Sequence, residues 1–278
     1  MEIFDWNTAT MTPSEQKIAE YVERNIQSVL TLTEREIGEI LGLSVASVSR
    51  FWRTAGYKNI KDFKHQTTQI LAPSPSGKIE SLLNETEKEG SIVGSFQKVM
   101  NHLELTMQHF SEDDLMKAAQ LTLAANKIHI YAQGSSVGLQ ELLYFRLARY
   151  GLNLQMIKNS GSELLEDLLH IDSEDLVIMF FFGRKSLPEE EAFFREAADR
   201  KFKILVITDQ LVSSVATQAD ITLYSSRGEP WEFHSMVAPT LILEMLVIAV
   251  GSSDKDDSLD KLKDLEALRR KYRKILPR

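Results

Sequence analysis

The feature that most limits how this chain can fold is a pair of helix starts divided by one very short break. Thr33-Glu34-Arg35-Glu36 has the form in which a hydroxyl and a glutamate each satisfy a free backbone N–H at a helix N-terminus. The helix it starts places Ile37, Ile40 and Leu41 inward and ends at Gly42. Ser44 caps the next helix, expected over residues 45–55 and stopped by Gly56. With only Gly42, Leu43 and Ser44 between them, the two helices must cross at a large angle, as in a helix-turn-helix. Gly38 supplies the small residue such a crossing needs.

A further helix is expected ahead of this pair. Thr12 caps it, Pro13 suits its first position, Glu15 closes a capping box, and Ile18, Val22, Ile26 and Val29 follow at helical spacing. Val48 and Phe51 then face the core of an all-α unit. Ser44, Val45, Ala46, Ser47, Ser49, Arg50 and Arg53 are left near the outer face. Small side chains allow close approach to a DNA groove, and arginine reaches guanine edges or phosphates. Lys58, Lys61 and Lys64 are expected at the phosphate backbone.

Charge sharpens this reading. The 278 residues carry 32 Lys and Arg against 40 Asp and Glu, a net charge of −8. That balance argues against nonspecific coating of nucleic acid or of an anionic membrane. Residues 43–65 reverse it, with five basic side chains and Asp62 alone opposing them. A solvated basic rim on a helical bundle is the plain alternative. Turn, caps, small residue and charge together favour double-stranded DNA.

The segment Ser44-Val45-Ala46-Ser47-Val48-Ser49-Arg50-Phe51, followed by Ala55-Gly56-Tyr57-Lys58-Asn59-Ile60-Lys61-Asp62-Phe63-Lys64, resembles the N-terminal domain of MurR/RpiR transcriptional regulators. Many members carry Cys after the Arg-Phe pair. Here Trp52 stands there, a change of packing rather than of chemistry.

Residues 71–77, rich in Pro and Ser, read as a linker, so the expected domains are residues 1–70, a connector over 71–84, and residues 85–278. Helices are expected at 92–110 and 113–125. Beyond them five short apolar runs, residues 127–131, 153–157, 176–182, 203–208 and 221–224, alternate with helical segments. Those helices are expected at 137–150, 162–169, 188–200, 213–218 and 233–250. This is the pattern of an α/β domain with a parallel sheet, whose ligands bind beyond the carboxyl ends of the strands.

Two loops there have ligand-binding chemistry. After the first strand, Gly134 permits a close turn, while Ser135 and Ser136 offer hydroxyls beside a helix N-terminus. After the third, Arg184, Lys185 and Ser186 could neutralise and bond an anion. Both are also consistent with ordinary capping turns.

Residues 123–251 resemble the SIS (sugar isomerase) domain, which in MurR/RpiR proteins follows the DNA-binding domain. The resemblance implies a phosphorylated sugar as effector, contacted by Ser135, Ser136 and Ser186. Two positions depart from it: Ala132 stands where glycine is usual, and Phe180-Phe181-Phe182-Gly183 replaces a serine-rich phosphate loop.

The expected protein is thus a cytoplasmic regulator that binds an operator as a dimer or tetramer, with no membrane partner. No catalytic residue, metal site or cofactor is expected. The chain has no cysteine, which excludes disulfides and thiolate ligands, and His102 and His109 lack a third ligand nearby. Two other readings stand beside it. One is a constitutive DNA-binding protein whose α/β domain only assembles subunits. The other is a phosphosugar isomerase using Glu229, Glu232 or His234 as its base. The last residues, from 255, form a stripe of leucines that turns basic at Arg269-Arg270-Lys271.

Overall fold

The computed structural model describes Trp6 and residues 11–70, 78–79, 82–83, 93–183, 187–211, 213–228 and 232–276. Residues 71–77 of the expected linker, and Arg184, Lys185 and Ser186, lie outside the described residues. The chain divides into two compact units, broadly residues 1–88 and 89–278.

The first unit is all helical: α1 (Pro13–Arg24), α2 (Ile26–Thr31), α3 (Glu34–Leu41), α4 (Val45–Thr54) and α5 (Ile60–Ile70). Both capping boxes form, at Thr12 with Glu15 and at Thr33 with Glu36. The single first helix expected through Val29 is two helices. Asn25 interrupts it: its amide side chain and its backbone N–H both take the Tyr21 carbonyl, at 3.0 and 2.9 Å. A short polar side chain competes here with helical hydrogen bonding. Ile18, Val22, Val29, Ile37, Val48, Phe51, Trp52 and Phe63 fill the core. Trp52 stacks on Phe63 with ring centres 4.4 Å apart, so the tryptophan at the departing position is a core residue.

The second unit begins with α6 (Val93–Gln108) and α7 (Glu112–Ala124). Then β1 (Ile128–Ala132), α8 (Val137–Leu147), β2 (Leu154–Ile157), α9 (Leu164–Leu168), β3 (Leu176–Phe181) and α10 (Pro188–Arg200) alternate. They are followed by β4 (Lys203–Thr208), α11 (Ser214–Gln218), β5 (Ile221–Tyr224), α12 (Val237–Ser253) and α13 (Lys255–Tyr272). All five strands are parallel, in the order β2-β1-β3-β4-β5.

Both faces of the sheet are covered, which is why the strands read as unbroken apolar runs. Leu115, Leu139, Leu143, Ile242 and Leu246, from α7, α8 and α12, close one face. Leu164, Phe193, Phe194 and Val215, from α9, α10 and α11, close the other. Helix α12 starts at Val237 rather than at residue 233. The chain before it is tied back by Ser235 N–H donating to the Arg227 carbonyl, and the Ser235 hydroxyl accepts from Val237 N–H at 3.2 Å. Helical bonding can begin only after that anchor.

Candidate functional site

The turn between α3 and α4 has the geometry its sequence implies. Gly42 adopts φ +65°, and Leu43 N–H donates to the Gly38 carbonyl at 2.8 Å. A Cβ on Gly38 would lie 2.8 Å from the Leu43 carbonyl oxygen, so glycine sets how closely the helices approach. The Ser44 hydroxyl accepts from Ser47 N–H at 3.1 Å and lies 2.9 Å from the Ser47 hydroxyl.

On α4, Val48, Phe51 and Trp52 are buried. Ser44, Val45, Ala46, Arg50 and Arg53 are exposed, with Ser47 and Ser49 half-buried between them. Arg50, Arg53, Lys58 and Lys61 are exposed and join no ion pair among the described residues. This leaves one helix face with small side chains at its start and uncommitted guanidinium groups along it. Lys64 differs from them. It is half-buried, its ammonium donates to the Leu32 carbonyl at 2.7 Å, and burial lowers its pKa. Glu15 joins α1 to α4 by accepting from the Thr54 hydroxyl at 2.8 Å. Its hydrogen bonds, those from Thr12 foremost, hold the carboxyl below its ordinary pKa.

In the sheet, β1 has β2 on one side and β3 on the other, and the connections leave in opposite directions there. Such a switch point opens a crevice at the carboxyl ends of the two strands. The loop after β1 lies at that point. Gly134 has φ +58°, a 3₁₀ turn covers Gly134–Ser136, Ser135 is exposed and Ser136 is buried. Gln140 pins α8 to the sheet through the Ile130 and Ile157 carbonyls, the latter at 2.9 Å. The start of α10 is already occupied: Leu187 N–H donates to Glu190 Oε2 at 2.7 Å, and Gly161 N–H donates to Glu189 Oε1 at 3.0 Å.

Phe180 and Phe181 point to opposite faces of β3 and belong to the two cores. Phe182 has another task. Its ring lies 4.1 Å from the Arg227 guanidinium, which is 4% exposed. Arg227 in turn donates to Asp209 Oδ2 from Nε at 3.1 Å and from Nη2 at 2.9 Å. Burial lowers the Arg227 pKa, and Asp209 opposes that shift. These three residues tie together the ends of β3, β4 and β5. Sequence reasoning missed Arg227, because its counter-ion stands 18 positions away in a different loop. The signal that could have found it is an arginine and an aspartate each placed just after a parallel strand.

His102 bonds Ser226 through Nδ1 at 3.2 Å, and His109 meets the Tyr224 ring edge-on. No group of three His, Asp or Glu able to hold a metal occurs among the described residues. No single helix among them is long and apolar enough to cross a membrane.

Comparison with known proteins agrees with both units. Residues 2–74 match the helix-turn-helix domain of the rpiR family, and residues 123–249 match the SIS domain. An uncharacterised HTH-type transcriptional regulator of Caldanaerobacter subterraneus is 24% identical over 90% of this chain and 89% of its own. Among solved structures, the Vibrio vulnificus NanR protein complexed with ManNAc-6P matches 95% of both chains, with 20% identity and TM-score 0.59. The sugar isomerase domain of an RpiR transcription factor from Sphaerobacter thermophilus matches 63% of this chain and 97% of its own, with 20% identity and TM-score 0.58. The protein is therefore a transcriptional regulator built from a DNA-binding helix-turn-helix domain and an α/β SIS domain. It belongs to the RpiR family.

Proposed function

We propose that this regulator binds a palindromic operator as a homodimer and changes its hold on DNA when a phosphorylated sugar enters the SIS crevice. The observation that carries the reading is the placement of the Gly134–Ser136 turn at the β1/β3 switch point, where parallel sheets take ligands. NanR, of like fold along nearly its whole length, is complexed with ManNAc-6P, which supports a phosphosugar as the ligand class. In this reading Gly134, Ser135 and Ser136 contact the effector. Arg184 and Lys185, which follow β3 in the sequence, supply its charge partners, and Ser186 a hydroxyl that bonds to it. A two-fold pair of helix-turn-helix units reads two half-sites through Ser44, Val45, Ala46, Ser47, Ser49, Arg50 and Arg53, with Lys58 and Lys61 on the phosphates.

The chain acts in the cytoplasm, where its operator is, and senses rather than converts the sugar. Its relatives are named as regulators, which supports that choice over an isomerase using Glu232 or His234.

The burial of Phe180 and Phe181 favours a second reading, a sheet domain that assembles subunits and holds no ligand. Thermal unfolding of the full chain against sugars and their phosphates separates the two. A ligand at about 100 times its Kd adds about 2.7 kcal/mol to stability. Stabilisation by one phosphosugar but not by its free sugar, abolished in Ser136→Ala, supports the sensor. A flat response across the panel rejects it.

A further inference from the structure

Strands β1, β3 and β4 end level with one another. Ala132 pairs with Phe180 and Phe180 with Ile207, and all three side chains belong to the core that α7, α8 and α12 close. Gly134 and Asp209 each lie two residues beyond that row. Side chains alternate along a strand, so a step of two returns to the same face. Phe182, two beyond Phe180, packs on that same core, and Arg227 joins it to Asp209. The Gly134–Ser136 turn leads into α8, which covers this face. Turn and carboxylate therefore stand at one height on one side of the sheet, two strands or roughly 10 Å apart.

The pair that Asp209 makes with Arg227 is lopsided. An arginine and a carboxylate closed only on each other commonly use two nitrogens and two oxygens. Here Nε and Nη2 both donate to Oδ2. Oδ1 accepts no hydrogen bond among the described residues, and it is not among the side-chain atoms sealed from solvent. Of the two partners it is the carboxylate that meets solvent, at 15% exposure against 4% for the arginine. A buried cation thus fixes the carboxylate through one oxygen and leaves the other presented at the strand ends.

We propose that Asp209 Oδ1 accepts the hydroxyls at the sugar end of an effector whose phosphate lies at the Gly134–Ser136 turn, with Arg227 as the residue that positions it. An ionised carboxylate only accepts hydrogen bonds, so it suits hydroxyl donors. A second phosphate offers it acceptors and like charge instead. Asp209 therefore orients the ligand, phosphate toward β1 and hydroxyls toward β4, and selects sugar monophosphates against bisphosphates. The distance between turn and carboxylate suits a molecule with its phosphate at one end and free hydroxyls at the other. The inference rests on the reading of this crevice as the effector site.

The test is isothermal titration of the full chain with ManNAc-6P and the 6-phosphates of glucose and fructose, set against the 1,6-bisphosphates of glucose and fructose. The wild type should hold at least one monophosphate about tenfold more tightly than either bisphosphate. In Asp209→Asn the amide oxygen can keep Arg227, and an NH2 donor stands where Oδ1 was. That variant should bind the same monophosphate about tenfold more weakly, and the bisphosphates more tightly than the wild type does. A site merely loosened by the change would lose both, so equal losses overturn the proposal. It is also overturned if the monophosphate binds Asp209→Asn as it binds the wild type, or if the wild type holds a bisphosphate as tightly as the monophosphate. Should Asp209→Asn fail to fold, Asp209→Ala/Arg227→Leu leaves no buried charge unpaired and should lose the same preference. A wild type that binds none of these compounds fails the sensor reading itself, whereas monophosphate binding indifferent to Asp209 fails this inference alone.

Discussion

Arg227 places both Nε and Nη2 on a single carboxylate oxygen of Asp209, at 3.1 and 2.9 Å, with almost no solvent around the guanidinium. Two parallel strands are thus closed at their carboxyl ends by one buried ion pair, and Phe182 caps the cation from the third. A buried pair adds little net stability over an apolar replacement, yet breaking it leaves a charge without a partner. Asp209→Ala should therefore cost about 3–5 kcal/mol in denaturant unfolding. The double change Asp209→Ala/Arg227→Leu should recover most of that loss. Equal losses for the single and the double variant would mean that the pair itself is not the source.

The close approach at Gly38 gives a second prediction. Its Cβ position lies 2.8 Å from a backbone oxygen, which cannot swing aside as a side chain would. Gly38→Ala should lower stability by about 1–3 kcal/mol and change the angle between α3 and α4. Unfolding and operator titration should therefore both be affected. Gly94→Ala, in the first turn of α6 and in the other unit of the chain, should leave operator binding as it is.

The basic residues separate by what their cations touch. Arg50→Ala should weaken operator binding by about 1–3 kcal/mol if its guanidinium reads a base. Lys61→Ala should reduce the slope of log affinity against log salt by about 0.9. Lys64→Ala should leave that slope nearly unchanged and lower the unfolding midpoint instead, because its ammonium is held by the Leu32 carbonyl. Equal slopes for the Lys61 and Lys64 variants would show that Lys64 leaves that carbonyl on DNA.

His129 predicts a pH dependence. It is buried in β1, with Nε2 3.0 Å from Asp175 Oδ2, and Asp175 also accepts from Asp172 N–H. Burial holds the imidazole below its ordinary pKa, and the bond to Asp175 only partly opposes this. The unfolded chain therefore takes up a proton near pH ~6.5 that the folded chain resists. Stability present above that pH should fall as the pH drops through it toward the folded value. Denaturant unfolding between about pH 7.5 and about pH 5 measures the slope. A His129→Gln variant should lose this contribution; an unchanged slope would place the titrating group elsewhere.

Local chemistry was legible in the sequence. Both capping boxes, the Gly42 turn, the Ser44 cap and the start of α10 at Pro188 follow from residues within four positions of one another. The strands were visible because a sheet buried on both faces leaves little but apolar residues, as residues 176–181 show. The break at Asn25 was not legible, because the Ile18, Val22, Ile26 and Val29 spacing runs straight through it and only the side-chain bond to Tyr21 ends the helix.

The candidate site divides in the same way. By itself the sequence determined the two domains, their order, the helix-turn-helix face and the Gly134–Ser136 turn, since each is written in a contiguous stretch of residues. Only the tertiary structure decided that Lys64 caps α2, that Phe180 and Phe181 belong to opposite cores, and that Arg227 finds Asp209. Those outcomes depend on which distant groups meet where water is excluded. There a cation is held by whichever oxygen the fold brings to it, and the sequence records neither partner beside the other.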